Sequence, residues 1–125
     1  MLFRSQVAAH CDADFRGHTD YLAHAAGLEE YGRDYLMCFL SNDLRVALLN
    51  THVPLREAIH GLEQSRVEAA IACLHAEVGG RIAVAGLNPH AGEGGLLGGE
   101  EERIIAPAVA ASRRSFRRSG RSLAG

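Results

Sequence analysis

Two histidines, His52 and His90, each stand just past an apolar run that reads as a β-strand: LRVALLNT before His52, and RIAVAG, through Leu87, Asn88 and Pro89, before His90. In an α/β sheet the loops at the strand C-terminal ends diverge from a fixed base, and ligands bind along that edge. Two neutral imidazoles meeting there would suit a divalent transition metal, with positions left for a third ligand and for substrate oxygens. They lack the local spacing of an HxxxH pair, so spacing alone favours two ordinary loop histidines over a metal pair. The loop HAGEGGLLGG after Pro89 could bring backbone amides to an anion. Gly92 and Gly94 open a GxG pattern, but Leu97 sits where a dinucleotide fingerprint needs its last glycine, and the acidic residues that follow would repel a phosphate. A flexible loop at the edge of an active site is the better reading. His18 and Thr19, after Gly17, offer two hydrogen-bonding side chains that could equally cap a helix beginning near Asp20. His10, His24, His60 and His75 have no matching partner and read as surface or packing residues.

The elements that must position these residues follow from apolar periodicity. Asp34 to Leu40 and Leu44 to Leu49 are apolar runs separated by Ser41, Asn42 and Asp43, the pattern of a β-hairpin. Tyr35, Met37 and Phe39 alternate with Leu36, Cys38 and Leu40, so both faces are apolar and the strands should be covered on both sides, as in a layered α/β protein. From Gln64 to Val78, Val67, Ala70, Ile71, Leu74 and Val78 recur at helical spacing. Gly79 and Gly80 terminate that helix. Arg81 to Ala85 then reads as a short buried strand, and Glu100 to Glu102 as the acidic start of another helix. Pro107 must kink that helix or lie in its first turn. The first dozen residues could form a short helix ahead of the turn-like CDADFRG.

Composition narrows the chemistry. The chain has 125 residues, 47% hydrophobic and 22% charged, with formal net charge −2, in the range of one globular domain. All 13 basic residues are Arg, which excludes a P-loop lysine, a Schiff-base lysine and a lysine general base. No apolar stretch approaches the ~20 residues of a membrane helix. The N-terminus does not read as a secretory signal, so a cytoplasmic protein is expected. Cys11, Cys38 and Cys73 form no CxxC and are expected to be buried free thiols. Arg113, Arg114, Arg117, Arg118 and Arg121 crowd the segment SRRSFRRSGRSLAG. Such a run can bind nucleic acid, but a solvated, disordered tail over 113–125 is the expectation, with no nucleic-acid or membrane partner.

Three segments in order, GHTDYLA at 17–23, LRVALLNTHVPLRE at 44–57 and RIAVAGLNPHAGEGG at 81–95, closely resemble the 4-hydroxythreonine-4-phosphate dehydrogenase family of pyridoxal phosphate biosynthesis. The likeness covers residues 1–112, which would be a central segment of such an enzyme. The resemblance implies a partial isocitrate/isopropylmalate dehydrogenase-like α/β/α layered fold and a homodimer with active sites at the subunit interface. It also implies a divalent metal (zinc, magnesium, manganese or cobalt) held by three histidines, two of them matching His52 and His90. By the same motif match His18 and Thr19 contact a small phosphorylated hydroxy acid. The reaction implied is oxidation of a secondary alcohol by NAD or NADP followed by loss of carbon dioxide from the β-keto acid, with the metal as Lewis acid. No residue here matches a catalytic group beyond these. The third histidine and the family's substrate-binding Lys and Arg fall past Gly125, and the last thirteen residues look unlike the family. A truncated enzyme is therefore the expectation, with a non-catalytic fragment, or a fragment of the related erythronate/threonate phosphate branch, as alternatives.

Overall fold

The computed structural model describes residues 17–118; the expected N-terminal helix, His10, Cys11 and Arg121 lie outside them. The order is α1 (His18–Ala25), β1 (Cys38–Leu40), β2 (Arg45–Ala47), α2 (Leu55–His60), α3 (Gln64–Val78), a π-helical turn (Glu101–Ile105) and α4 (Ala106–Arg118). The chain is thus mixed helix and strand, and no helix among the described residues is long and apolar enough to cross a membrane.

Helix α3 has the bounds its periodicity predicts. Val67, Ile71 and His75, four residues apart, form its buried stripe. Gln64 Nε2 donates to Glu68 Oε1 at 2.7 Å one turn on. At its end Gly79, with φ 61°, takes the left-handed conformation and its N–H bonds His75 O at 3.0 Å. The stripe packs against α4: Leu62, Val67, Ile71 and Ala108 are the buried core, with Leu49, Ile82, Ile104, Ile105, Val109 and Phe116 around it. The His75 ring lies 4.2 Å from that of Phe116, tilted by 33°.

Pro107 falls inside this last helical stretch, and the chain accommodates it by widening the turn before it. Ala106 N–H bonds Glu101 O, a five-residue step, and the next residue has no N–H to place. The expected helix start near Glu100 therefore holds, with the proline in the first turn of α4 proper. Helix α4 continues through Arg113, Arg114 and Arg117 as far as Arg118, so the front half of the expected disordered tail is helical. The reason is local: Ala108 to Ser112 already supply a buried anchor, and arginine propagates a helix well.

Of the two predicted runs, 34–40 and 44–49, the three-residue stretches Cys38–Leu40 and Arg45–Ala47 pair antiparallel, with Phe39 opposite Val46 and Leu40 opposite Arg45. The Ser41–Leu44 turn is closed by Ser41 N–H to Leu44 O and Leu44 N–H to Ser41 Oγ. Its coverage differs from expectation. Leu40 is 70% and Leu44 64% exposed, and all three residues of β1 are exposed. The same holds for Arg81–Ala85, which is neither buried nor a strand: a strand exists by its ladder, and no described segment pairs with this one. Cys38, on β1, is accordingly exposed and not a buried thiol, while Cys73 is half-buried.

Candidate functional site

Helix α1 starts at His18, with Gly17 ahead of it making no side-chain cap. Asp20 in its first turn complements the helix dipole and carries two further contacts. Tyr35 Oη donates to Asp20 Oδ1 at 3.0 Å, and His52 Nδ1 lies 3.3 Å from Asp20 Oδ2. The His52 ring also rests on Gly17, so closely that a Cβ there would collide with Cε1, Nδ1 and Nε2. A larger residue at this position would require the His52 ring to move. Two segments more than thirty residues apart, the helix start bearing His18 and Thr19 and the loop bearing His52, are thereby joined.

The loop is pinned from the other side. Arg66, on α3, donates through Nη2 to Asn50 Oδ1 at 2.9 Å and through Nη1 to Gly61 O at 2.7 Å. Tyr31 Oη donates to Leu48 O at 2.7 Å. Between these ties His52 has φ 53°, a left-handed conformation that costs a non-glycine residue about 1–2 kcal/mol and is held here by its neighbours. Burial, and next the hydrogen bond to Asp20, pushes the Tyr35 phenol up to about 12, so it remains a donor.

His90 belongs to a second construction. Asn88 Oδ1 accepts from His90 N–H at 2.9 Å and from Gly92 N–H at 3.4 Å, an Asx turn. Residues Ala91, Gly92, Glu93, Gly94 and Gly95 all have positive φ, a left-handed coil that explains the glycine density better than a phosphate cradle does. Its closing strap is Glu101, 8% exposed. Glu101 Oε1 accepts from Leu87 N–H at 2.9 Å and Asn88 Nδ2 at 3.4 Å, and Oε2 lies under Gly92, buried and without a hydrogen-bond partner. His90 itself is largely exposed, with Nδ1 2.7 Å from Glu93 Oε1. A cleft of about 580 Å³ runs beside this loop, lined by Val84, Gly86, Ala91, Glu101, Val109 and Arg113 among others.

His52 and His90 thus bond different carboxylates, Asp20 and Glu93, through Nδ1 in each case. Among the described residues no three His, Cys, Asp or Glu side chains converge as a metal-binding group. His18 is exposed and Thr19 half-buried at the start of α1. Sequence reasoning passed over Asp20, Tyr35, Arg66 and Glu101. None of the four carries a local spacing signal, whereas Glu93, three residues past His90, does. Asp20 and Glu101 looked like ordinary acidic residues of a helix start.

The family model described as pyridoxal phosphate biosynthetic protein PdxA matches residues 4–123. A 4-hydroxythreonine-4-phosphate dehydrogenase from Neisseria meningitidis serogroup A is 42% identical over 118 residues, covering 89% of this chain and 33% of the relative. One from Acidithiobacillus ferrooxidans is 44% identical over 104 residues, covering 78% of this chain and 30% of the relative. The crystal structure of a 4-hydroxythreonine-4-phosphate dehydrogenase from Klebsiella pneumoniae superposes with a TM-score of 0.72 at 38% identity, over 90% of this chain and 34% of that one. The chain spans about a third of the length of the curated relatives it matches.

Proposed function

Since the chain belongs to the pyridoxal phosphate biosynthetic protein PdxA family, we propose that it carries part of the substrate and metal site of a 4-hydroxythreonine-4-phosphate dehydrogenase. In this reading His52 and His90 supply two imidazole ligands, and His18 and Thr19 contact the phosphorylated hydroxy acid. What supports the ligand assignment is the donor chemistry of the two rings: each has Nδ1 against a carboxylate, which leaves Nε2 to present a lone pair, the arrangement that ligating histidines adopt. Two imidazoles fit two coordination positions and leave at least one more to another group. When bound, a divalent cation (zinc, magnesium, manganese or cobalt) supplies Lewis-acid polarisation of an alcohol oxygen, and NAD or NADP accepts the hydride.

The residues of this chain do the positioning. Gly17 and Asp20 seat the His52 ring at the helix start that bears His18 and Thr19, so a substrate touching that start would lie beside the imidazole. The Asn88 and Glu101 hydrogen bonds fix the backbone from which His90 projects. The joining of GHTD to His52 is the observation that carries the reading. The same reading takes the whole protein as a cytoplasmic homodimer of isocitrate/isopropylmalate dehydrogenase-like α/β/α fold, its active site at the subunit interface. The test is NADH or NADPH formation from 4-hydroxythreonine 4-phosphate with each metal, together with Zn2+ binding to the 125-residue chain by calorimetry. His52→Ala and His90→Ala should each weaken binding at least tenfold; binding that neither substitution alters would remove the assignment.

A further inference from the structure

We propose that Asp20 is a positioning residue for His52, holding the ring in the tautomer whose Nε2 carries the lone pair, and that Tyr35 orients the carboxylate for that task. The inference rests on the reading of His52 as a ligand, but its content is a relation among three side chains of this chain.

A carboxylate only accepts hydrogen bonds, so the 3.3 Å contact between Asp20 Oδ2 and His52 Nδ1 requires the ring hydrogen on Nδ1. Which ring nitrogen is protonated is set by the bond the other makes, and here that places the lone pair on Nε2. The carboxylate cannot turn away, because its other oxygen accepts from Tyr35 Oη at 3.0 Å. Tyr35 is fixed in turn by an edge-on contact with Tyr31, ring centroids 5.3 Å apart at 87°, and Tyr31 is tied to Leu48 O in the run leading to His52. The ring also rests on Gly17. The Asp20 side chain is 18% and that of His52 41% exposed, so the contact is partly shielded from water while the imidazole remains reachable.

Asp20→Asn inverts this relation. Tyr35 Oη holds the amide oxygen, the NH2 group then faces Nδ1, and the hydrogen must move to Nε2, the wrong tautomer for ligation. Adding Tyr35→Phe frees the amide to rotate and present oxygen to Nδ1 again. The experiment is long-range 1H–15N NMR on the metal-free 125-residue chain above the histidine pKa, reading the tautomer of His52. The wild-type spectrum should show Nδ1–H as the major form at His52, Asp20→Asn should shift it to Nε2–H, and the double variant should restore Nδ1–H in part. Zn2+ affinity should follow the tautomer, falling about 10–100-fold in Asp20→Asn. A wild-type ring that is mainly Nε2–H overturns the proposal with no variant needed, so a variant that fails to fold does not shelter it. An unchanged tautomer in a folded Asp20→Asn chain also overturns it. If the tautomers behave as stated but wild-type Zn2+ binding does not depend on His52, the ligand assignment fails and the Asp20–His52 relation stands.

Discussion

Glu101→Ala should loosen the His90 loop without unfolding the helical core. Glu101 Oε1 accepts one good hydrogen bond, Leu87 N–H at 2.9 Å, and one long one from Asn88 Nδ2 at 3.4 Å. A bond to a charged acceptor contributes about 1.5–3 kcal/mol, and leaving a shielded N–H without a partner costs about 1–3 kcal/mol. The long bond adds little, so about 2 kcal/mol is the expected local loss. At 1.4 kcal/mol per tenfold, that is roughly a thirtyfold faster exchange of the Leu87 amide, with a smaller effect at Gly92, whose N–H bonds Asn88 Oδ1. Glu101→Gln retains an oxygen for Leu87 and should recover most of the protection. Amide exchange by NMR reads both sites at once. Amides in the middle of α3 serve as the control, since the packing of Val67 and Ile71 does not use the Glu101 carboxylate. Unchanged Leu87 exchange in a folded Glu101→Ala chain would refute the role of this carboxylate as the strap of the loop, as would equal acceleration of Leu87 and α3.

In an alkaline titration followed by tyrosinate absorbance, one of the three tyrosines, Tyr35, should ionise near pH 12, and Tyr35→Phe should remove that late phase. Because the folded pKa lies above the unfolded value of about 10, this group's contribution to stability is fully present below pH 10 and is lost as the pH rises through 12. Gly17→Ala puts a methyl group inside contact distance of the His52 ring, so it should displace the imidazole and weaken Zn2+ binding at least tenfold while circular dichroism keeps its helical signal. Arg66→Ala removes two bonds to Asn50 and Gly61 and should lower unfolding stability by about 1–3 kcal/mol in a urea melt, with Arg66→Lys recovering only part because one ammonium cannot span both acceptors.

How much of this was legible in the sequence depended on how local the governing interactions are. Helix α3 was readable to the residue because its stripe, its Gln64–Glu68 pair and its Gly79 stop each rest on residues about one turn apart. The hairpin was readable from Ser41, Asn42 and Asp43, but its coverage was not. Phe39 and Leu40 say only that they tolerate burial, and whether anything packs on them is decided by residues elsewhere. The same reasoning applies to Arg81–Ala85, whose composition suits a buried strand while its hydrogen-bond partners are not specified by its own residues. The sequence offers His52 and His90 as candidates from their places after strand-like runs, and His18 and Thr19 through the wording of the matching segments. It does not offer Asp20 and Tyr35, because a hydrogen bond spanning fifteen residues and another spanning thirty-two leave no periodic trace.

The loops bearing the two candidate ligands are built differently, and this has a physical consequence for the site. His52 adopts positive φ itself and is held by Asp20, Gly17 and the Arg66–Asn50 tie, contacts reaching from two separate parts of the chain. His90 projects from a turn whose backbone Asn88 and Glu101 hold, and among the described residues its side chain bonds Glu93, three residues away on a largely exposed surface, where an ion pair contributes little. The His52 ring is therefore held before any ligand arrives, while the His90 side chain keeps more of its rotational freedom. If both rings hold one cation, as proposed, it meets His52 first and His90 second. The order follows from which histidine has already given up its conformational freedom.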